Sequence, residues 1–243
     1  MAAHSPPYHY MLNTEKKLSD ILRRHTDAFG PVLDADLNGE HVCRLDFTAA
    51  NQLLQQTDLR NTVAFNEVVN RMLQEQHATI GVGGYLENRF IYRRSQHFDV
   101  AEESRDLHLG IDVWLPAGTA VFAPLDGRVH SFADNANFGD YGPTIILEHE
   151  LEGVTFYTLY GHLNVACLEG LSVGKEFRKG DKIAEVGPYP ENGDWPPHLH
   201  FQVMCSMDEK QGDYPGVARL SEQAAYEALC PNPNLILNCR HLA

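Results

Sequence analysis

The chain has 243 residues, is 43% hydrophobic and carries a formal net charge of −14. That length and apolar content can bury one substantial core or two smaller ones. The acidic balance, with no Lys/Arg-rich block, argues against general binding to nucleic acid or to anionic membranes, because such partners need a basic surface.

Met1 to Lys17 contains no apolar stretch long enough for the core of a signal peptide, and no run elsewhere approaches a membrane span. A cytoplasmic protein is therefore expected. From about Asn13 to Gln76 the pattern is largely helical. Within it Gly30-Pro31 and Asn38-Gly39 mark turns, and the short apolar run from Val42 to Phe47 reads as a strand. Phe65, Val68, Val69, Met72 and Leu73 recur at helical spacing and define one apolar face. Gly81-Val-Gly-Gly84 then breaks the helical pattern, and the texture changes to short β-type segments punctuated by glycine and proline. A last helix is expected over Leu220 to Leu229, stopped before Pro231. The expected class is α+β: a mainly helical N-terminal region over residues 1–80, then an antiparallel, β-sheet-rich domain over 81–243 that ends in a helix. The five cysteines, Cys43, Cys167, Cys205, Cys230 and Cys239, show no Cys-x-x-Cys spacing and are read as free thiols.

The residues that can carry chemistry lie between His108 and His200. In Pro197-His198-Leu199-His200-Phe201 the alternation predicts a strand, which points His198 and His200 to one face. His108 and Asp112 are four apart, which on a straight strand is about 13 Å, too far for one small ion. The chain there is either helical or bent. Gly110 between them and the β-prone Val113-Trp114-Leu115 favour a bend. Zinc sites that do chemistry usually take three ligands from His, Asp and Glu and leave the fourth position to water, and this segment offers such an open set. Zinc suits a tetrahedral, three-ligand arrangement of this kind best.

Other candidates are weaker by the same criteria. His97, His130 and His149 have no partner at useful spacing and read as solvated or hydrogen-bonded histidines. Glu148-His149-Glu150 alternates across a strand, so its members face opposite ways. Arg105 and Asp106 read either as groups that orient substrate or support a ligand, or as a solvated pair before a strand. Trp195-Pro196-Pro197 fixes the approach to the His-Leu-His strand and shapes the rim of the site.

Several motifs occur in a fixed order: Leu107-His108-Leu-Gly-Ile-Asp112, Gly118-Thr-Ala-Val-Phe-Ala-Pro124 with Gly127 and Val129, Tyr160-Gly-His162-Leu163, Lys179-Gly-Asp-Lys-Ile-Ala184, Val186-Gly187 and Pro197-His-Leu-His200-Phe201. Over roughly residues 80 to 235 the chain resembles the lysostaphin/LytM-type zinc endopeptidases. The wording of Asn192-Gly-Asp-Trp195, of Gly212-Asp-Tyr-Pro-Gly-Val217 and of Cys230-Pro-Asn-Pro-Asn234 is similar to the branch appended to class-III aminotransferase and kinase-like domains. The resemblance implies that His108, Asp112 and His200 hold zinc, while His162 and His198 stay off the metal and act on the water and the reacting carbonyl. The implied reaction is metal-assisted hydrolysis of a peptide or related amide, peptidoglycan included. One free histidine takes the water's proton and the other stabilises the oxyanion or protonates the leaving amine. By itself, Tyr160-Gly-His162-Leu163 reads equally as a strand end with a satisfied histidine. Two alternatives stand beside this function. One is the same chemistry on a cytoplasmic small molecule, in a pathway shared with an aminotransferase or kinase-like partner. The other is a non-catalytic binding module whose N-terminal helices serve as a partner surface or a lid.

Overall fold

A computed structural model of the chain describes residues 18–94 and 104–242; His97 and the stretch Met1 to Lys17 lie outside them. The strands in chain order are β1 (Val42–Arg44), β2 (Ile80–Gly83), β3 (Leu107–His108), β4 (Ile111–Trp114), β5 (Ala120–Phe122) and β6 (Gly127–Asn135). They continue as β7 (Gly142–Leu151), β8 (Val154–Gly161), β9 (Glu176–Phe177), β10 (Lys182–Glu185), β11 (His198–Met204) and β12 (Val217–Ala218). Eight of them form one sheet in the order β1-β2-β4-β11-β8-β7-β6-β9, while β5 pairs with β10 and β3 with β12. Every named pair is antiparallel except β1 with β2. The β-rich class expected from the sequence is the class observed.

Local chemistry explains the pairing. β7 and β8 are joined by Glu152 and Gly153, both in the left-handed region with φ of 51° and 72°, which is the backbone a two-residue hairpin requires. β11 is buried along its whole length because β4 and β8 flank it. Its alternation divides the two faces. Leu199, Phe201 and Val203 join the main core with Ile111 and Val113 of β4. His198, His200 and Gln202 turn to the other face by the two-residue period of a strand.

The helices of the N-terminal region are fewer and shorter than the periodicity of 13–76 predicts. Among the described residues they are α1 (18–24), α2 (Gln52–Gln55) and α3 (Thr62–Glu75), separated by turns and by β1. The run from Val42 to Phe47 starts as the expected strand and leaves the sheet after Arg44. The predicted face of α3 is the one that packs: Phe65, Val69, Met72 and Leu73 are buried with Phe47, Trp114 and Trp195 in a second core. Asn61 caps this helix by accepting from Ala64 N at 3.2 Å. At the other end of the chain, a 3-10 turn over Leu220–Glu222 leads into α4 (Gln223–Leu229), followed by α5 (Asn234–Leu237). None of the five cysteines is in a disulfide. Among the described residues no helix is long and apolar enough to cross a membrane.

Candidate metal centre and active site

The chain bends between His108 and Asp112, and there is no helix. β3 ends at His108 and β4 begins at Ile111, with Leu109 and Gly110 between them. Gly110 is needed there for close approach: a Cβ would meet Cε1 and Nε2 of His200 at 2.6 Å and Phe201 O at 2.8 Å. The missing side chain leaves the space that the His200 ring occupies. Asp112 comes to the same point by register, since it lies directly across from His200 on the neighbouring strand.

His108 Nε2 lies 3.1 Å from His200 Nδ1, and Asp112 Oδ1 lies 3.3 Å from the first and 3.0 Å from the second. All three side chains are buried. The hydrogen bonds on their far sides fix which atoms face inward. His108 Nδ1 donates to Gly84 O at 3.0 Å, and His200 Nε2 donates to Gln202 Oε1 at 3.0 Å. Gln202 is itself oriented, because its Nε2 donates to Pro215 O at 3.1 Å. With those outer bonds, His108 Nε2, His200 Nδ1 and Asp112 Oδ1 turn toward one another, a donor set of the kind that holds a divalent cation. Ligand bonds of about 2.0–2.1 Å in a tetrahedral site put neighbouring donors roughly 3.3–3.4 Å apart, close to the separations here.

Two further histidines stand beside this trio. His198 donates from Nδ1 to Pro196 O at 2.8 Å, and His162 donates from Nδ1 to Asn192 O at 2.8 Å. Each keeps an unprotonated Nε2. The rings lie 4.2 Å apart between centroids, and His198 Nε2 is 3.9 Å from Asp112 Oδ2. His198 stacks on the Trp114 indole with centroids 4.0 Å apart. Burial pushes the His198 imidazole down to about 4 and holds His162 well below the ordinary histidine value, with His198 adding to the effect on His162. Burial and then the Arg89 charge push His108 down to about 4. Burial opposes the charge of Asp112, but His108, Arg89 and His198 outweigh it and keep the carboxyl well below the usual range. His162 has φ 61°, and its backbone accepts from Gly187 N and donates to Tyr141 O, both at 2.8 Å. A left-handed non-glycine residue held from both sides and aimed at a cavity is the kind of local strain found at working sites.

The cluster opens into a cavity of about 440 Å³ lined in part by Tyr92, Arg105, Asp140, Tyr141, Trp195, Lys210 and Asp213. Trp195 lies on its wall as expected, with Nε1 donating to Asp140 O at 3.1 Å. Arg105 faces the cavity, whereas the Asp106 carboxylate accepts from Ser104 Oγ at 2.6 Å and does not line it. His130 and His149 lie elsewhere. His149 is a satisfied core histidine, with Asp126 O at 2.9 Å and Thr158 Oγ1 at 2.8 Å. Sequence reasoning missed Gln202, Asn192 and Arg89. Gln202 was within reach, since it continues the period of His198 and His200. Asn192 has its polar atoms fixed within the loop that supports His162, and Arg89 contacts Asp112 from a distant loop; neither has a local pattern.

Residues 106–212, the stretch that carries this cluster, match the model of Peptidase family M23. Over this segment the chain is similar to the M23 peptidases. An "uncharacterized metalloprotease" of Haemophilus influenzae is 34% identical over 95 residues, covering 39% of this chain and 18% of that protein. The chain thus spans less than a fifth of that curated relative. Among solved structures, a zinc-containing peptidase from Vibrio cholerae is 27% identical, with 40% of this chain and 27% of that chain covered and a TM-score of 0.31. The catalytic domain of lysostaphin from Staphylococcus simulans is 23% identical, with 50% and 80% covered and a TM-score of 0.33. The likeness to a branch beside aminotransferase and kinase-like domains is carried by the sequence motifs alone.

Proposed function

We propose that the M23 domain is a zinc-dependent hydrolase that cleaves a peptide amide bond, with His108 Nε2, Asp112 Oδ1 and His200 Nδ1 as the metal ligands and His162 and His198 as the catalytic histidines. The observation that carries it is the trio of donor atoms at tetrahedral spacing, next to two buried histidines whose Nε2 atoms face the same site. A zinc ion held there supplies Lewis-acid polarisation of the scissile carbonyl and lowers the pKa of water. The chain does the rest. Pro196 O and Asn192 O hold the two rings in one tautomer, so that Nε2 of each can accept a proton or, once protonated, donate it. Burial keeps both rings neutral at pH 7, the state a general base needs. Trp114 and Trp195 exclude water from the far side of the His198 ring.

The similar Haemophilus influenzae protein is a metalloprotease, which supports a peptidase. We place the substrate among short peptides of the kind found in peptidoglycan. The five unpaired cysteines fit a reducing compartment, so a cytoplasmic setting joined to a soluble, peptidoglycan-derived fragment is part of the proposal. The test is to load the protein with zinc, incubate it with such fragments and count newly exposed amines. His162→Ala and His198→Ala are each expected to keep one zinc per chain and to lose turnover by about 100-fold or more. Full turnover in either variant would remove that histidine from the mechanism.

A further inference from the structure

We propose that Arg89 is a positioning residue that restricts Asp112 to one-oxygen contact with the metal and so keeps the fourth coordination position open. The inference rests on the metal site of the proposed function and concerns how that site is held.

The two oxygens of Asp112 are divided between different partners. Oδ1 belongs to the trio, at 3.0 Å from His200 Nδ1 and 3.3 Å from His108 Nε2. Oδ2 takes a charge-assisted hydrogen bond from Arg89 Nη1. A carboxylate binds a metal through both oxygens only if both can turn to it. Here one is committed to a guanidinium.

Arg89 is itself fixed. It is fully buried, and its Nε donates to Glu87 Oε2 at 2.9 Å. The guanidinium carbon lies 5.3 Å from the centre of the Phe47 ring, and Nη1 is 3.4 Å from Tyr92 Oη. Its backbone N donates to Asp106 O at 2.7 Å. Gly83, which lies across from Asp112 in the β2–β4 register, makes room for the group, since a Cβ there would collide with Arg89 Nη2. The planar fork of arginine serves Glu87 and Asp112 at once, which the single ammonium of lysine cannot do with the same geometry.

The consequence is a limit on coordination number. With Oδ2 held back, the protein supplies three ligand atoms and leaves a position facing the cavity. If Oδ2 were released, Asp112 could close that position itself. Charge alone does not explain the arrangement, because a cation next to a metal site weakens metal binding; the geometry is what Arg89 provides.

The test uses cobalt(II) as the metal on the full chain, because its visible absorption is strong when four-coordinate and weak when five- or six-coordinate. Wild type is compared with Arg89→Lys, which keeps the charge, and with Arg89→Met made together with Glu87→Gln, which leaves no buried Glu87 carboxylate without its cation. Both variants are expected to bind cobalt with most of the visible absorption lost, because the freed Asp112 oxygen raises the coordination number. A loss of folding alone would not change the spectrum of the metal-bound fraction. Unchanged absorption in both variants would overturn the positioning role and leave the metal site standing. A wild type that takes up no cobalt and no zinc would instead overturn the metal reading, and this inference with it.

Discussion

At the scale of single residues, the site is decided by which atom of each side chain is free. His108 and His200 have equivalent rings, yet one presents Nε2 and the other Nδ1, because Gly84 O accepts a hydrogen bond from Nδ1 of one ring and Gln202 Oε1 from Nε2 of the other. This predicts that Gln202→Leu weakens zinc binding by about 10- to 100-fold without removing a ligand, as chelator competition will measure. A glycine matters as much as a ligand. Gly110→Ala would put a Cβ 2.6 Å from the His200 ring, so it should displace that ring and lower the zinc content per chain, read by elemental analysis beside His108→Ala and Asp112→Ala. If Gly110→Ala keeps its full metal content, the close approach is not a constraint on the site. The sequence made Gly110 a bend, and the bend is there. That the glycine also makes room for His200 depends on a strand some ninety residues away, which no local pattern can carry.

At the scale of elements, α3 supports the site from behind. Phe65 meets Trp114 at 6.0 Å and Trp195 at 6.2 Å between ring centres, and Trp114 in turn carries the His198 ring. Thr62 Oγ1 donates to Asp194 O at 3.0 Å, which ties the start of the helix to the loop just before Trp195. Phe65→Ala should therefore cost about 3–5 kcal/mol of stability, read by denaturant unfolding. Trp114 and Trp195 are the chain's two tryptophans, so the same change should move the emission of both. A loss below about 1 kcal/mol with unchanged emission would show that the helix is peripheral. The apolar face of α3 was legible, because a helix repeats its contacts every three or four residues. Its partner was not, since the aromatics it meets come from β4 and from the loop before β11.

At the scale of the whole molecule, buried histidines make stability depend on pH. His149 is held by Asp126 O and Thr158 Oγ1 in the long β7 strand, and burial pushes it from its ordinary 6.5 down to about 4. As pH falls, the unfolded chain takes up the proton first. The contribution of His149 is therefore complete above pH 6.5 and is lost progressively as pH falls from 6.5 to 4. Between pH 7 and pH 5 this amounts to about 2 kcal/mol. Denaturant unfolding at the two values should show a smaller loss for His149→Gln than for wild type, by about that amount. An equal loss in both would mean that His149 titrates alike in the two states. The C-terminal segment packs on the turn at 37–38 at this scale: Cys239 Sγ donates to Leu37 O at 3.3 Å and Arg240 N to Asn38 Oδ1 at 2.7 Å.

What the sequence determined by itself is whatever repeats or bends locally: the two-residue period that sets His198 and His200 on one face, the break at Gly110, the apolar face of α3 and the helix before Pro231. The β-rich class followed from these, while the five histidine and aspartate positions that the structure gathers were implied by the resemblance of their motifs to the zinc endopeptidases, His162 by that resemblance alone. Tertiary structure alone decided the rest. The register of β11 against β4 sets His200 across from Asp112, the choice of ring nitrogen depends on carbonyls from other segments, and Arg89 reaches Asp112 from a loop 23 positions earlier. The reason is physical: hydrogen bonds and ion pairs in a buried site are satisfied by whichever group the fold brings within about 3 Å, and distance along the chain does not enter.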